Sequence, residues 1–217
     1  MKVRKKYIIG IDEVGRGPLA GPVTVGACIC EFRNLPKLRK IFAQAKESKQ
    51  LTAASRESWK KTIDQARDEK LLSYSIVSVP PSVIDSRGLA FAIRKALASS
   101  LKNLSVAPEH CHVKLDGGLK APAEFADQVT IIKGDEKELM IALASIAAKV
   151  TRDAYMRRIS KKHPSYGLDI HMGYGTAFHR EAIRRLGPSP IHRQSFLRNI
   201  LKTSKSSLSI PSKYVAK

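Results

Sequence analysis

Acidic residues are scarce in this sequence: 19 Asp and Glu face 39 Lys and Arg, a formal net charge of +20 over 217 residues. Such an excess repels itself, so it points to a polyanionic partner, nucleic acid or an anionic membrane surface, or else to a generally basic proteome. Long apolar runs are missing too. None approaches the roughly 20 residues that span a bilayer. The opening "MKVRKKYIIGIDE" has a basic start, but its apolar stretch is too short for a signal peptide and runs straight into acids. Cysteine is limited to Cys28, Cys30 and Cys111, an odd number without zinc-ligand spacing. The first two would point the same way from one strand, too far apart for an easy bridge, so a reducing cytoplasm is expected. The single tryptophan, Trp59, falls on the buried face of a helix pattern with Ile63 and Ala66, which reads as core rather than as a stacking platform for bases. No internal repeat stands out.

What is present reads as one α/β domain. A chain of this length buries roughly 70% of its unfolded surface. Strands are expected at 7–11, 22–32, 71–79, 112–115 and 129–132. A helix should start near Ala53 with Thr52 or Ser55 as its cap, and another is marked by Leu89, Ile93, Leu97 and Leu101. A long Ala-rich helix should run from about Lys137 to Lys162, its first half apolar nearly all round and so buried against the sheet. Shorter helices are expected at 176–186 and 193–202. The domain expectation is therefore 1–200, with about 165–200 a helical C-terminal part, followed by a basic tail at 201–217 that lacks order.

Three apolar strands run into acids: "IIGI" into Asp12 and Glu13, "HVKL" into Asp116, and "VTII", after Lys133 and Gly134, into Asp135. In open α/β sheets the ligand site lies beyond the carboxyl ends of the strands. Parallel neighbours would converge these four carboxylates, and a bound divalent cation is the usual relief for charges packed so closely. Carboxylate oxygens suit Mg2+ or Mn2+, and two such ions about 3.5–4 Å apart can clamp both oxygens of a phosphodiester displacement. Singly, each acid has a plainer reading. Asp116 could form the turn before Gly117, Asp135 could cap a helix, and Glu13 could sit on the surface. The repetition favours the metal site. The turn "GRGPLAG" does not fit a dinucleotide-binding loop, because its glycines are misplaced and a strand, not a helix, follows. Its glycines still leave backbone amides bare for a sugar or phosphate, and a plain hairpin turn does not explain Arg16 beside two acids.

These stretches resemble the bacterial ribonuclease HII family, the type 2 ribonucleases H. "GIDEVGRGPLAGPV", "LDGG", "IIKGD", "ASIAAKVTRD", "HMGYGT" and "PIHRQSF" occur in that family's order, over residues 7–200. The resemblance implies a ribonuclease H-like mixed sheet flanked by helices. It further implies an endonuclease that cuts the RNA strand of RNA–DNA hybrids and nicks duplex DNA 5′ of single ribonucleotides, leaving 3′-hydroxyl and 5′-phosphate ends. Asp12, Glu13, Asp116 and Asp135 would be catalytic and hold two Mg2+ or Mn2+ ions. The backbone of Gly15, Arg16 and Gly17 would read the 2′-hydroxyl. Tyr174 would stack on the neighbouring deoxyribose and Lys49 would contact phosphate, although a lone Lys is usually solvated surface and a Tyr often half-buried core. Asp153 would support the site from behind or serve structure. The expected partners are hybrid and ribonucleotide-containing duplexes, with no membrane, for a cytoplasmic monomer.

Three stretches depart from the family pattern, with Glu47 for Asp, Met172 for Lys, and Gly88-Leu89 for Asn-Ile. None touches the four acids. Losing a Lys beside a nucleic-acid groove should weaken binding and lower its salt dependence. Two other readings remain open at this point: a non-catalytic nucleic-acid-binding module, and a different nuclease or recombinase on the same fold.

Overall fold

The computed structural model describes residues 4–43 and 52–205. Its sheet has five strands: β1 (Tyr7–Val14), β2 (Val23–Glu31), β3 (Ser73–Val79), β4 (Cys111–Asp116) and β5 (Gln128–Ile131), in the order β3-β2-β1-β4-β5. The strands β1, β2 and β3 are antiparallel neighbours, whereas β4 and β5 run parallel to β1. All five expected strands are present, and β1 is longer than expected, so Asp12 and Glu13 lie within it. The helices are α1 (Leu35–Ile41), α2 (Ala53–Asp68), α3 (Pro81–Arg87), α4 (Leu89–Asn103), α5 (Gly134–Lys137), α6 (Leu139–Ser160), α7 (Leu168–His171), α8 (Ala177–Leu186) and α9 (Arg198–Lys205). Thr52 does cap α2, its hydroxyl accepting from Ser55 N–H. The expected helix at 193–202 is instead a 3₁₀ turn at Gln194–Phe196 followed by α9, which runs on into the segment expected to be tail.

Alternation along the strands sorts the core into two layers. Ile9, Ile11, Ala27, Ile29, Val113 and Leu115 face α4, where Ile93, Leu97 and Leu101 complete one cluster. Ile8, Cys28 and Cys30 face the opposite way, against Leu139, Met140, Leu143 and Ala144 of α6 and Ile63 of α2. Each such aliphatic side chain contributes roughly 1.5–3 kcal/mol on burial. Trp59 packs on this second cluster and tilts against Phe42, as core. All three cysteines are buried and free. A smaller third core joins Leu19, Ala20 and Met156 to Tyr166, Leu168, Ala182, Ile183 and Leu197.

The glycine at the centre of β1 has a geometric reason. A Cβ at Gly10 would lie 2.1 Å from the Met140 carbonyl carbon, so the helix backbone rests directly on the central strand. Side chains there would force the two apart. From that contact α6 climbs past the carboxyl end of β1, and its last turns carry Lys149, Arg152, Asp153 and Met156. Among the described residues, no helix is long and apolar enough to cross a membrane.

Candidate active site

The strand register sets the first pair of acids. Ile11 of β1 lies opposite Leu115 of β4, so the next residues along these parallel strands, Asp12 and Asp116, are neighbours on one face. That face is the one α6 covers, and Ser145 of α6 hydrogen-bonds to Asp12. Glu13, one residue on, points to the other face, where its Oε1 accepts from Arg16 at 2.7 Å. Asp135 does not extend a strand. It sits in the first turn of α5, buried, one residue after Gly134, whose N–H donates to Asp116 Oδ1 at 2.6 Å. It is therefore inside the helix rather than its cap.

All four acids line one open cleft of about 360 Å³, together with Arg56, Ser145, Lys149 and Tyr174. Sequence reasoning missed Arg56, Ser145 and Lys149. A lone hydroxyl inside the otherwise apolar "LMIALASIAA" was the available signal for Ser145. Tyr174 is 42% exposed, and a Cβ at Gly17 would lie 4.0 Å from its ring, so the Gly15–Gly17 turn and Tyr174 flank the same opening. Asp153 stands behind, buried, and accepts from Lys149 Nζ at 2.9 Å. Lys49 and Glu47 lie outside the described residues. A larger hollow of about 630 Å³ lies at the other end of β1, around Lys5, Phe32 and Val106. No acids converge there, and its Lys5, Lys6 and Arg33 pair with Asp127 and Glu31.

The electrostatics of the cleft are strained. Burial pushes the Asp12 carboxyl up to about 7, with Glu13 and Asp116 adding to the rise and the Ser145 hydrogen bond opposing it. Burial also raises Glu13, against the pull of Arg16. Glu13 Oε2 is buried without a hydrogen-bond partner among the described residues. Burying a carboxylate oxygen in that state is costly, and a hard divalent cation is the partner its chemistry suits. Among the described residues, no three His, Cys, Asp or Glu side chains are already gathered as a closed metal-ligand set. The acids share a cleft but not a finished cage.

Behind the Gly15–Gly17 turn lie two fully buried arginines, Arg152 and Arg193, each 0% exposed. Arg193 donates to Gly15 O (2.6 Å), Arg16 O (2.8 Å) and Gly21 O (3.0 Å). Arg152 donates to Pro22 O (3.0 Å), Met172 O (3.0 Å) and Ala20 O (3.3 Å). Burial lowers both, and the nearby Arg152 charge helps bring Arg193 down to about 10. Gly15, at φ +89°, leaves room for Arg152, whose Nε would be 2.4 Å from a Cβ there.

Three stacked or tilted imidazoles hold the Tyr174 turn. Ser189 N–H donates to His192 Nδ1, so its proton is on Nε2 and goes to His179 Nε2, 3.0 Å away. His179 then donates from Nδ1 to Tyr174 O at 2.9 Å. His171 accepts from Gly173 N–H and donates to Tyr166 O. The His179 and His192 rings are placed as the neutral form, and burial lowers both to about 4.

A mixed sheet with helices on both faces, and acids gathered where its parallel strands end, defines a nuclease of the ribonuclease H class. The structure of ribonuclease H2 from Pyrococcus horikoshii OT3 superposes with a TM-score of 0.72 at 26% identity, covering 92% of this chain and 99% of that one. The ribonuclease HII of Brucella anthropi is 42% identical over 192 residues, 88% of this chain and 82% of its own. That of Caldicellulosiruptor bescii is 40% identical over 196 residues, 90% and 89% respectively. The family model for ribonuclease HII matches residues 9–199. The chain belongs to the ribonuclease HII family, and so is a hydrolase, an endoribonuclease of the ribonuclease H type.

Proposed function

We propose that this enzyme is a metal-dependent endonuclease that hydrolyses the RNA strand of RNA–DNA hybrids. It also nicks duplex DNA 5′ of single embedded ribonucleotides, leaving 3′-hydroxyl and 5′-phosphate ends. The observation that carries this reading is one cleft lined by Asp12, Glu13, Asp116, Asp135 and Tyr174, with the Gly15–Gly17 turn at its rim.

The four acids fit a pair of divalent ions by donor chemistry. When bound, Mg2+ or Mn2+ would activate the attacking water and stabilise the departing 3′-oxygen. The chain's own residues prepare for this by anchoring one oxygen of a carboxylate and leaving the other. Glu13 Oε1 is held by Arg16 and Asp116 Oδ1 by Gly134 N–H, which fixes each group's direction toward the cleft. Asp12 Oδ1 takes the Glu13 N–H at 2.7 Å, so two successive acids are set by one local bond. Tyr174, exposed across from Gly17, offers a flat face to the sugar next to the scissile one. Amides of the Gly15–Gly17 turn donate to the 2′-hydroxyl, the group that separates RNA from DNA. Arg56 and Lys149 place positive charge where phosphates enter, and Lys49 adds to it. The catalytic unit is 1–200, including its helical part from about 165, and the enzyme works as a cytoplasmic monomer.

The test is a duplex carrying one ribonucleotide, incubated with the protein and Mg2+ or Mn2+ and resolved on a denaturing gel. A single nick 5′ of the ribonucleotide is expected, lost in EDTA and lost when the 2′-hydroxyl is replaced by hydrogen. An intact strand with both metals overturns the reading. Retained cleavage of the all-deoxy duplex would point to a general nuclease instead.

A further inference from the structure

Arg193 is difficult to explain as a stabilising residue. Its guanidinium is fully buried, it lies near a second buried guanidinium, and among the described residues neither has a carboxylate within ion-pair distance. Burying a guanidinium without a counter-charge carries a desolvation cost that an ion pair would otherwise offset. What a guanidinium does that an apolar side chain cannot is fix several acceptors at set angles, because its donors form a rigid planar fork. Here the acceptors are the successive carbonyls of Gly15 and Arg16, with Gly21 O as the third.

Peptide planarity turns that inward grip into an outward aim. In a trans peptide the C=O and the following N–H point in opposite directions. Drawing Gly15 O in toward Arg193 therefore turns Arg16 N–H out, and drawing Arg16 O in turns Gly17 N–H out. Among the described residues, neither amide donates a hydrogen bond within the protein. The positive φ at Gly15 is what lets the turn present both. We propose that Arg193 is a positioning residue for sugar selection, holding the Arg16 and Gly17 amides toward the 2′-hydroxyl of the bound ribonucleotide. This rests on the ribonucleotide-directed reading above. Arg152 grips Ala20, Pro22 and Met172 instead, so it ties the far end of the loop to the Tyr174 turn without setting these two amides.

The test compares kcat/KM for a duplex with one ribonucleotide against the same duplex with a 2′-deoxy-2′-fluoro nucleotide at that position, a poor hydrogen-bond acceptor. The ratio is independent of how much protein is folded, so a purely structural defect does not move it. The wild type should prefer the ribonucleotide by at least about a hundredfold, as expected of sites built to hydrogen-bond a hydroxyl. Arg193→Lys should shrink that preference by about tenfold or more, while Arg152→Lys, equally buried, should leave it within about twofold. Arg193→Gln, which keeps two donors without the charge, carries the same expectation should the lysine variant not fold. An unchanged ratio in the Arg193 variants, or equal shifts at Arg193 and Arg152, overturns the proposal. A wild type that cuts both substrates equally overturns the ribose-reading turn itself, before any variant is considered.

Discussion

Two groups of buried polar residues sit within the same site and are treated oppositely. The acids of the cleft are incompletely satisfied: Asp12 is driven up to about 7, and Glu13 Oε2 is buried without a hydrogen-bond partner among the described residues. The arginines and histidines behind the cleft are hydrogen-bonded throughout, to backbone carbonyls and to one another. Both arrangements bury charge or polarity at a cost. Only the second is complete among the described residues; it forms the frame, and the first is where the proposed metal ions would be held.

Substitutions should separate the two. The largest effect belongs to Asp12→Asn, which should cut ribonucleotide-directed nicking on the order of a thousandfold, with duplex binding by anisotropy retained. The same variant in EDTA at pH 8 should be more stable, by about 1–3 kcal/mol in urea titrations, because a carboxylate held in a hostile setting is gone. Destabilisation there would mean that the acids are structurally content, and the contrast would collapse. Arg152→Met should do the reverse, losing about 3 kcal/mol as three buried carbonyls are stripped of their donor. A neutral outcome would remove the frame from the comparison.

The histidines sharpen it through pH. His179 and His192 are lowered to about 4 from an ordinary 6.5, so between those values the unfolded chain binds more protons than the folded one. Stability should then be full above pH 6.5 and fall as pH drops toward 4, by on the order of 2 kcal/mol. His179→Gln should flatten that limb of a melting-temperature profile, and an unchanged limb would show that the rings are charged when folded. Smallest of all is Met172→Lys, which restores the family's usual Lys beside Tyr174. It should tighten duplex binding and steepen the slope of log K against log salt by about 0.9. A slope that does not move would take position 172 out of the groove.

The sequence exposed the cleft more readily than its frame. Asp12 is visible because it interrupts an apolar, β-branched run, and Asp116 because it ends a strand whose alternate residues Val113 and Leu115 are apolar. Asp135 was found by the same rule but placed imperfectly, since a one-turn helix of four residues has no periodicity to detect. The short α1, α3 and α7 went unseen for the same reason. Arg193 could not be recognised at all as a buried group. Its neighbours His192 and Gln194 are polar, and the burial comes from a chain reversal that brings it beneath residues 15–21, more than 170 positions away. That reversal also accounts for the displaced final helix, because residues 194–196 form a tight turn around Asp85, which accepts from Gln194 N–H and Ser195 N–H.

The contact of α6 on Gly10 makes this helix a ruler with its zero fixed in the core. Met140 marks that zero, Ser145 the first acid, Lys149 the wall of the cleft and Arg152 the loop behind it. Inserting one residue between Met140 and Ser145 would rotate everything beyond it by about 100° and carry each group off its mark. A four-residue insertion would nearly restore the angle but advance the far groups by about 6 Å. Spacing along this one helix is therefore far less free to drift than the identity of many residues on it.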